Sequence, residues 1–167
     1  MPEIIQVNVS RGGVPKRAVP EAMITSSGVE GDSWAHPRIH GGPDQKVLIL
    51  GAEVIDELAG LGFPVFYGAL GENLTVRGLA MEALRSGQTW RAGDAILELT
   101  EVREPCATLD VYRDAKGGKI QKAIYDQRVQ QGDPTSPLWA RSGFYAAVRR
   151  AGRVSAGAPF ELLYQTA

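Results

Sequence analysis

The chain has 167 residues, 44% of them hydrophobic, and a formal net charge of −1. That length fits one domain over residues 1–167 with enough apolar content for a core. The near-neutral balance supplies no field for nonspecific nucleic-acid binding. No apolar run is long enough to span a membrane, and Met1 to Ser10 lack a basic-then-apolar leader, so a cytoplasmic protein without membrane partners is expected. A single cysteine excludes an intrachain disulfide and a cysteine-based structural zinc site.

Twenty glycines and ten prolines point to short strands and tight turns. Ile5, Val7 and Val9 alternate with polar neighbours and predict a first strand ending near Val9. Gly12-Gly13-Val14-Pro15-Lys16 breaks it. Ala22 to Thr25 is a second strand candidate. Gly28 to Asp32 and Ile39 to Asp44 are glycine-rich loops. Lys46 to Leu50 reads as a short buried strand. In the helix predicted over Ala52 to Leu61, one face carries Val54, Ile55, Leu58, Ala59 and Leu61. Leu74 to Val76 is strand-like.

Ala92-Gly93-Asp94-Ala95 and Ala156-Gly157-Ala158-Pro159 look alike, each a glycine turn that launches a strand. Ala95 to Val102 is the stronger of the two strands. Lys119 to Val129 is a second helix candidate, with Ile120, Ala123, Ile124 and Val129 inward, stopped by Gly132-Asp133-Pro134. Phe144 to Val148, turned at Gly152, is expected to pair with a strand around Val154. The whole is expected to be mainly β: a curled, mostly antiparallel β barrel with two or three peripheral helices.

The chemistry-bearing positions lie mostly in the loops. Cys106 follows the strong strand in Arg103-Glu104-Pro105-Cys106, where Pro105 fixes the backbone before a short helical segment. A thiol there, with Arg103 nearby, is a candidate nucleophile or soft-metal ligand; a packed structural thiol is the alternative. His36 and His40 have the spacing of a helical metal pair, but Pro37, Gly41 and Gly42 argue against a helix. His40 is therefore the better pocket candidate, beside the glycine backbone and Asp44.

Val29-Glu30-Gly31-Asp32 and Gly71-Glu72-Asn73-Leu74 set polar side chains beside glycines. Glu30, Asp32, Glu72 and Asn73 suit the edge of a heterocycle that both donates and accepts hydrogen bonds, although ordinary turns have the same composition. Lys16, Arg11, Arg103 and Arg141 are candidate anion binders. Ser142-Gly143 lacks a nucleophile elbow, and the glycines make no dinucleotide or phosphate-loop fingerprint.

Taken in order, these fragments resemble the MOSC family, named for the C-terminal domain of molybdenum cofactor sulfurases. The resemblance runs from Ser10-Arg11-Gly12-Gly13-Val14-Pro15-Lys16 through His40-Gly41-Gly42-Pro43-Asp44 and Gly71-Glu72-Asn73-Leu74-Thr75. It continues through Arg103-Glu104-Pro105-Cys106 to Gly143-Phe144-Tyr145-Ala146. It implies a strand-rich barrel and a cysteine, here Cys106, that ligates molybdenum in the molybdopterin-type cofactor or carries sulfur. It also implies pocket roles for His40 and Asn73.

On this reading Lys16, Glu30, Asp32, Gly41, Gly42, Asp44, Glu72, Arg103 and Arg141 are the cofactor-side candidates. No pyridoxal phosphate is expected on this domain alone, and electrons or sulfur would come from another protein. Three activities stay open: a reductase of small N-hydroxylated substrates, a persulfide carrier, and a binding module without chemistry.

Overall fold

In a computed structural model, the structure describes residues 1–33 and 42–165. The strands are β1 (Glu3–Val9), β2 (Arg17–Val19), β3 (Glu21–Thr25), β4 (Gly28–Val29), β5 (Val47–Gly51), β6 (Leu74–Arg77), β7 (Thr89–Ala92), β8 (Ala95–Val102), β9 (Phe144–Arg150), β10 (Gly152–Ser155) and β11 (Phe160–Tyr164). Three short helices join them: α1 (Ala52–Gly60), α2 (Gln121–Ile124) and α3 (Gln127–Gln130). None of the described helices is long and apolar enough to cross a membrane.

Eight strands form one sheet in the order β11-β7-β8-β9-β5-β6-β1-β2, and β10-β3-β4 form a second. Among the described residues every strand pairing is antiparallel except β5 with β6, which α1 separates in sequence, as a parallel pair requires a crossover. The large sheet curls until its ends meet. Ile4 N donates to Ala158 O at 2.8 Å, Gly157 N to Ile4 O at 2.7 Å, and Phe160 N to Pro2 O at 2.8 Å. One edge of β1 is thus shared between β2 and the start of β11.

The core lies inside this curl, with Ile4, Ile24, Ile49, Leu50, Leu74, Leu97, Phe144 and Phe160 fully buried. β5, which reads as a continuous apolar run, is buried at all of its residues. Trp90 and Phe160 stack across the β7–β11 pair with centroids 4.7 Å apart.

Four local expectations change. A register shift between Ile4 and Gln6 breaks the alternation of β1, so Ile4 rather than Ile5 is sealed in the core. Helix α1 buries Val54, Ile55 and Leu58, whereas Ala59 and Leu61 are exposed, because Leu61 lies past the last helical residue. The helix expected over Lys119 to Val129 is two short ones. Tyr125 and Asp126 are extended, and the Asp126 carboxylate accepts from Val129 N, capping a fresh start at α3. β9 and β10 do not pair with each other: β9 lies between β8 and β5, and β10 pairs with β3. At Gly152 the chain crosses so close to Asp94 that a Cβ would stand 2.3 Å from its carbonyl carbon, and this crossing carries it into the second sheet.

Candidate functional site

β8 delivers Cys106. Past Val102 the chain is clamped to the turn before β9: Arg103 N donates to Gly143 O at 2.9 Å, and Ser142 Oγ donates to Arg103 O at 2.5 Å. Pro105 fixes the backbone just before Cys106, which is extended at the start of a 3-10 turn over Ala107–Val111. The thiol is half-buried. Its Sγ lies 2.9 Å from Thr108 Oγ1.

Cys106 faces a cleft of about 740 Å3. Trp139, Tyr125 and Tyr145 are its aromatic walls, and Gln45, Glu101 and Glu104 also line it. Tyr145 reaches the cleft because it follows the core residue Phe144 on β9, and successive strand residues point to opposite faces. Trp139 is fixed from three sides. Its Nε1 donates to Leu84 O at 2.9 Å, Phe144 meets it edge-on at 6.3 Å, and the Arg85 guanidinium sits 5.7 Å over its ring.

A buried polar seam lies along β1, β6 and the turn before β6. Lys16 and Asp32 form an ion pair at 2.6 Å whose side chains are 8% and 1% exposed. The other Asp32 oxygen accepts from Asn73 Nδ2 at 2.9 Å. Asn73 also accepts from Leu48 N at 3.0 Å through Oδ1 and donates to Asn8 O at 3.2 Å. Asn8 in turn donates to Thr75 Oγ1 at 3.0 Å, and Thr75 donates to Glu72 Oε2 at 3.2 Å.

Glu72 is wholly buried, and among the described residues its other oxygen, Oε1, has no hydrogen bond of good geometry. Burial pushes its carboxyl up to about 7, against the lowering influence of backbone N–H groups, Thr75 and Arg103. Arg103 links this seam to the cleft. It is buried, which pulls its pKa down, while Tyr145, Cys106 and Glu72 act on it electrostatically in the opposite sense. Its guanidinium makes one hydrogen bond among the described residues, to Ser142 O at 3.3 Å.

The candidate residues therefore separate. Cys106 and Arg103 lie at and behind the cleft, with Glu72 within electrostatic reach of Arg103. Lys16, Asp32 and Asn73 are bonded to one another in the seam and are not among the residues lining the cleft. Glu30, Gly42 and Asp44 are exposed in loops. Arg141 pairs with Glu57 of α1 at 2.5 Å. His36, His40 and Gly41 lie outside the described residues. Among the described residues no group of three or more His, Cys, Asp or Glu side chains could hold a metal ion, so Cys106 is a candidate ligand from a single side chain.

Sequence reading missed Gln45, Glu101, Glu104, Tyr125 and Trp139 as cleft residues. They come from separate segments and carry no shared spacing. Tyr145 had a signal in the Gly143-Phe144-Tyr145-Ala146 run, because one of two adjacent aromatics on a strand must face away from the core.

The model of the MOSC domain matches residues 36–161 of this chain. The uncharacterized protein YflK of Bacillus subtilis is 36% identical over 155 residues, which cover 90% of this chain and 63% of that protein. Protein YiiM of Escherichia coli is 30% identical over 150 residues, covering 86% of this chain and 59% of YiiM. The chain thus spans about three-fifths of the length of these curated relatives. The crystal structure of YiiM from Geobacillus stearothermophilus superposes with a TM-score of 0.70 at 24% identity, over 98% of this chain and 76% of that one, a likeness of fold. With a matching domain model over three-quarters of its length and two relatives at 30% identity or above, this chain belongs to the MOSC-domain family.

Proposed function

We propose that this domain binds a molybdopterin-type molybdenum cofactor through Cys106 and serves reduction of small N-hydroxylated compounds. The observation that carries the reading is a half-buried thiol at an aromatic cleft, backed by a buried arginine. The residues present suit such a group. Arg103 has donor capacity beyond its single hydrogen bond, and guanidinium is a good fork for phosphate. Thiolate sulfur is a soft ligand suited to molybdenum.

When bound, the cofactor supplies two-electron redox chemistry. The overall change is R–NHOH plus two electrons and two protons giving R–NH2 and water, the N–O bond being broken. The electrons come from a separate redox protein. Cys106 would hold the metal, and the Thr108 hydroxyl, 2.9 Å from its sulfur, would support that ligand. Trp139, Tyr125 and Tyr145 offer the substrate apolar, aromatic cleft walls. Burial raises the Tyr145 phenol, so it keeps its proton and donates a hydrogen bond to a ligand oxygen in the cleft.

The test is metal content and turnover of protein made in a host that assembles the cofactor. Wild type is expected to carry molybdenum and to reduce a hydroxylamine with a chemical electron donor. Cys106→Ser is expected to lose both, with stability changed by only about 1 kcal/mol, since the thiol is small and half-exposed. Wild-type protein without molybdenum, or a serine variant that retains it, overturns the reading. The exposed side of the thiol also suits a persulfide carrier. Intact-mass analysis after treatment with a sulfur donor decides this, since a carrier gains one sulfur on Cys106.

A further inference from the structure

The place of the Cys106 thiol depends on the 3-10 turn that it opens, Ala107–Val111. Within that turn Leu109 N donates to Cys106 O at 3.1 Å, and Tyr112 N donates to Leu109 O at 3.0 Å. Hydrogen bonds of this kind are poorly aligned, so a single such turn is weak by itself. Gln121, the first residue of α2, braces it at both ends. Its Nε2 donates to Cys106 O at 3.3 Å and to Asp110 Oδ1 at 2.6 Å.

An amide nitrogen carries two hydrogens, so both are used. The remaining polar atom, Oε1, is buried, and among the described residues it has no hydrogen bond of good geometry. Turning the amide over brings no relief, because Oε1 would then face a carbonyl and a carboxylate. The orphaned oxygen is the cost of the two donations, and the two acceptors fix which end of the amide is which.

The main chain of the same residue extends the link. Tyr125 N donates to Gln121 O at 3.0 Å, and Tyr125 lines the cleft together with Cys106. Ile120 and Ile124, both fully buried, anchor this stretch in the core. One residue thus ties the backbone of the thiol to an aromatic wall and, through α2, to the interior.

We infer that Gln121 is a positioning residue for Cys106, its amide holding the turn that carries the thiol in register with Tyr125. Gln121 is not among the residues lining the cleft and acts through Cys106. The inference rests on the proposed function only in treating Cys106 as the reacting thiol.

The test is a series at position 121 graded by hydrogen-bonding chemistry at similar size. Gln121→Met has no donor, Gln121→Lys donates to both acceptors, and Gln121→Glu sets a carboxylate against them. Two readouts on the whole protein need neither molybdenum nor electrons. One is amide hydrogen exchange at Leu109, followed by NMR; the other is the rate of Cys106 alkylation by iodoacetamide, followed by intact mass. Gln121→Met is expected to speed both about tenfold, Gln121→Glu to speed them further, and Gln121→Lys to restore the wild-type rates. The amides of β5 should exchange alike in all four proteins.

Equal rates in wild type and Gln121→Met, or no restoration by Gln121→Lys, overturns the inference. So does a rise shared by the β5 amides, or a Leu109 amide already unprotected in wild type. Wild-type protein without molybdenum would sink the proposed function and leave the hold of Gln121 on this turn standing.

Discussion

Glu72 is a carboxyl sealed inside the protein, and removing its ability to ionise should make the protein more stable in alkali. The folded-state pKa of about 7 lies well above the ordinary value of 4.5. The folded chain therefore binds this proton more tightly than the unfolded chain does. Its contribution to stability is fully present below the unfolded pKa and is lost as pH rises through the folded one. At about 1.4 kcal/mol per pKa unit, the loss approaches roughly 3 kcal/mol by mildly alkaline pH. In a domain of this size that is roughly 6–12 °C in Tm.

Glu72→Gln keeps a carbonyl to accept from Thr75, and places an amide where Oε1 stands. Near pH 5 the variant and wild type should unfold alike. Near pH 8.5 the variant should be the more stable by roughly 2–3 kcal/mol, a difference that already includes the attraction between ionised Glu72 and Arg103. Urea unfolding followed by circular dichroism across that range measures the difference. Parallel pH profiles, or a variant weaker than wild type at high pH, would refute the assignment of an ionisable strained group.

Two further outcomes follow from the seam and the turn beside it. Asp32→Asn leaves the Lys16 ammonium buried without its counter-charge and should cost about 3 kcal/mol in urea unfolding; a loss under 1 kcal/mol on that scale would mean that water reaches the lysine. Gly68→Ala puts a Cβ 2.3 Å from Lys16 O at a φ of +98°. It should cost about 3 kcal/mol or more, read as a lowered denaturation midpoint.

Strands with strong local patterning were legible. The apolar run at Val47–Leu50, the alternation from Ala95 to Val102, and the glycine turns before β8 and β11 all announce themselves, because a short-range pattern decides them. The partner of β10 was not legible. Gly152 lets the chain cross against Asp94, a contact between residues far apart in sequence, and no local rule anticipates it. The split at Tyr125-Asp126 was readable in principle, since Asp126 is a good N-cap, but the continuous apolar spacing from Ile120 to Val129 masked it.

The site divides in the same way. Cys106 and Arg103 stood out by residue type and position. Lys16, Asp32 and Asn73 stood out too, yet their side chains bind one another. Residue type signals that a polar group has a fixed partner, not whether that partner is a ligand or the protein itself. The cleft walls were invisible because Gln45, Tyr125, Trp139 and Tyr145 are brought together only by the completed fold.

The bonds from Pro2 and Ile4 to residues 157–160 bear on how the molecule is made. During synthesis the first strand leaves the ribosome long before its last neighbour exists. Half of one of its edges must wait, unsatisfied, through almost the entire translation of the domain. Such late pairing slows folding and leaves a sticky margin in the nascent polypeptide. A sheet whose first and last segments are stitched together thus completes only after residues 157–160 have been made.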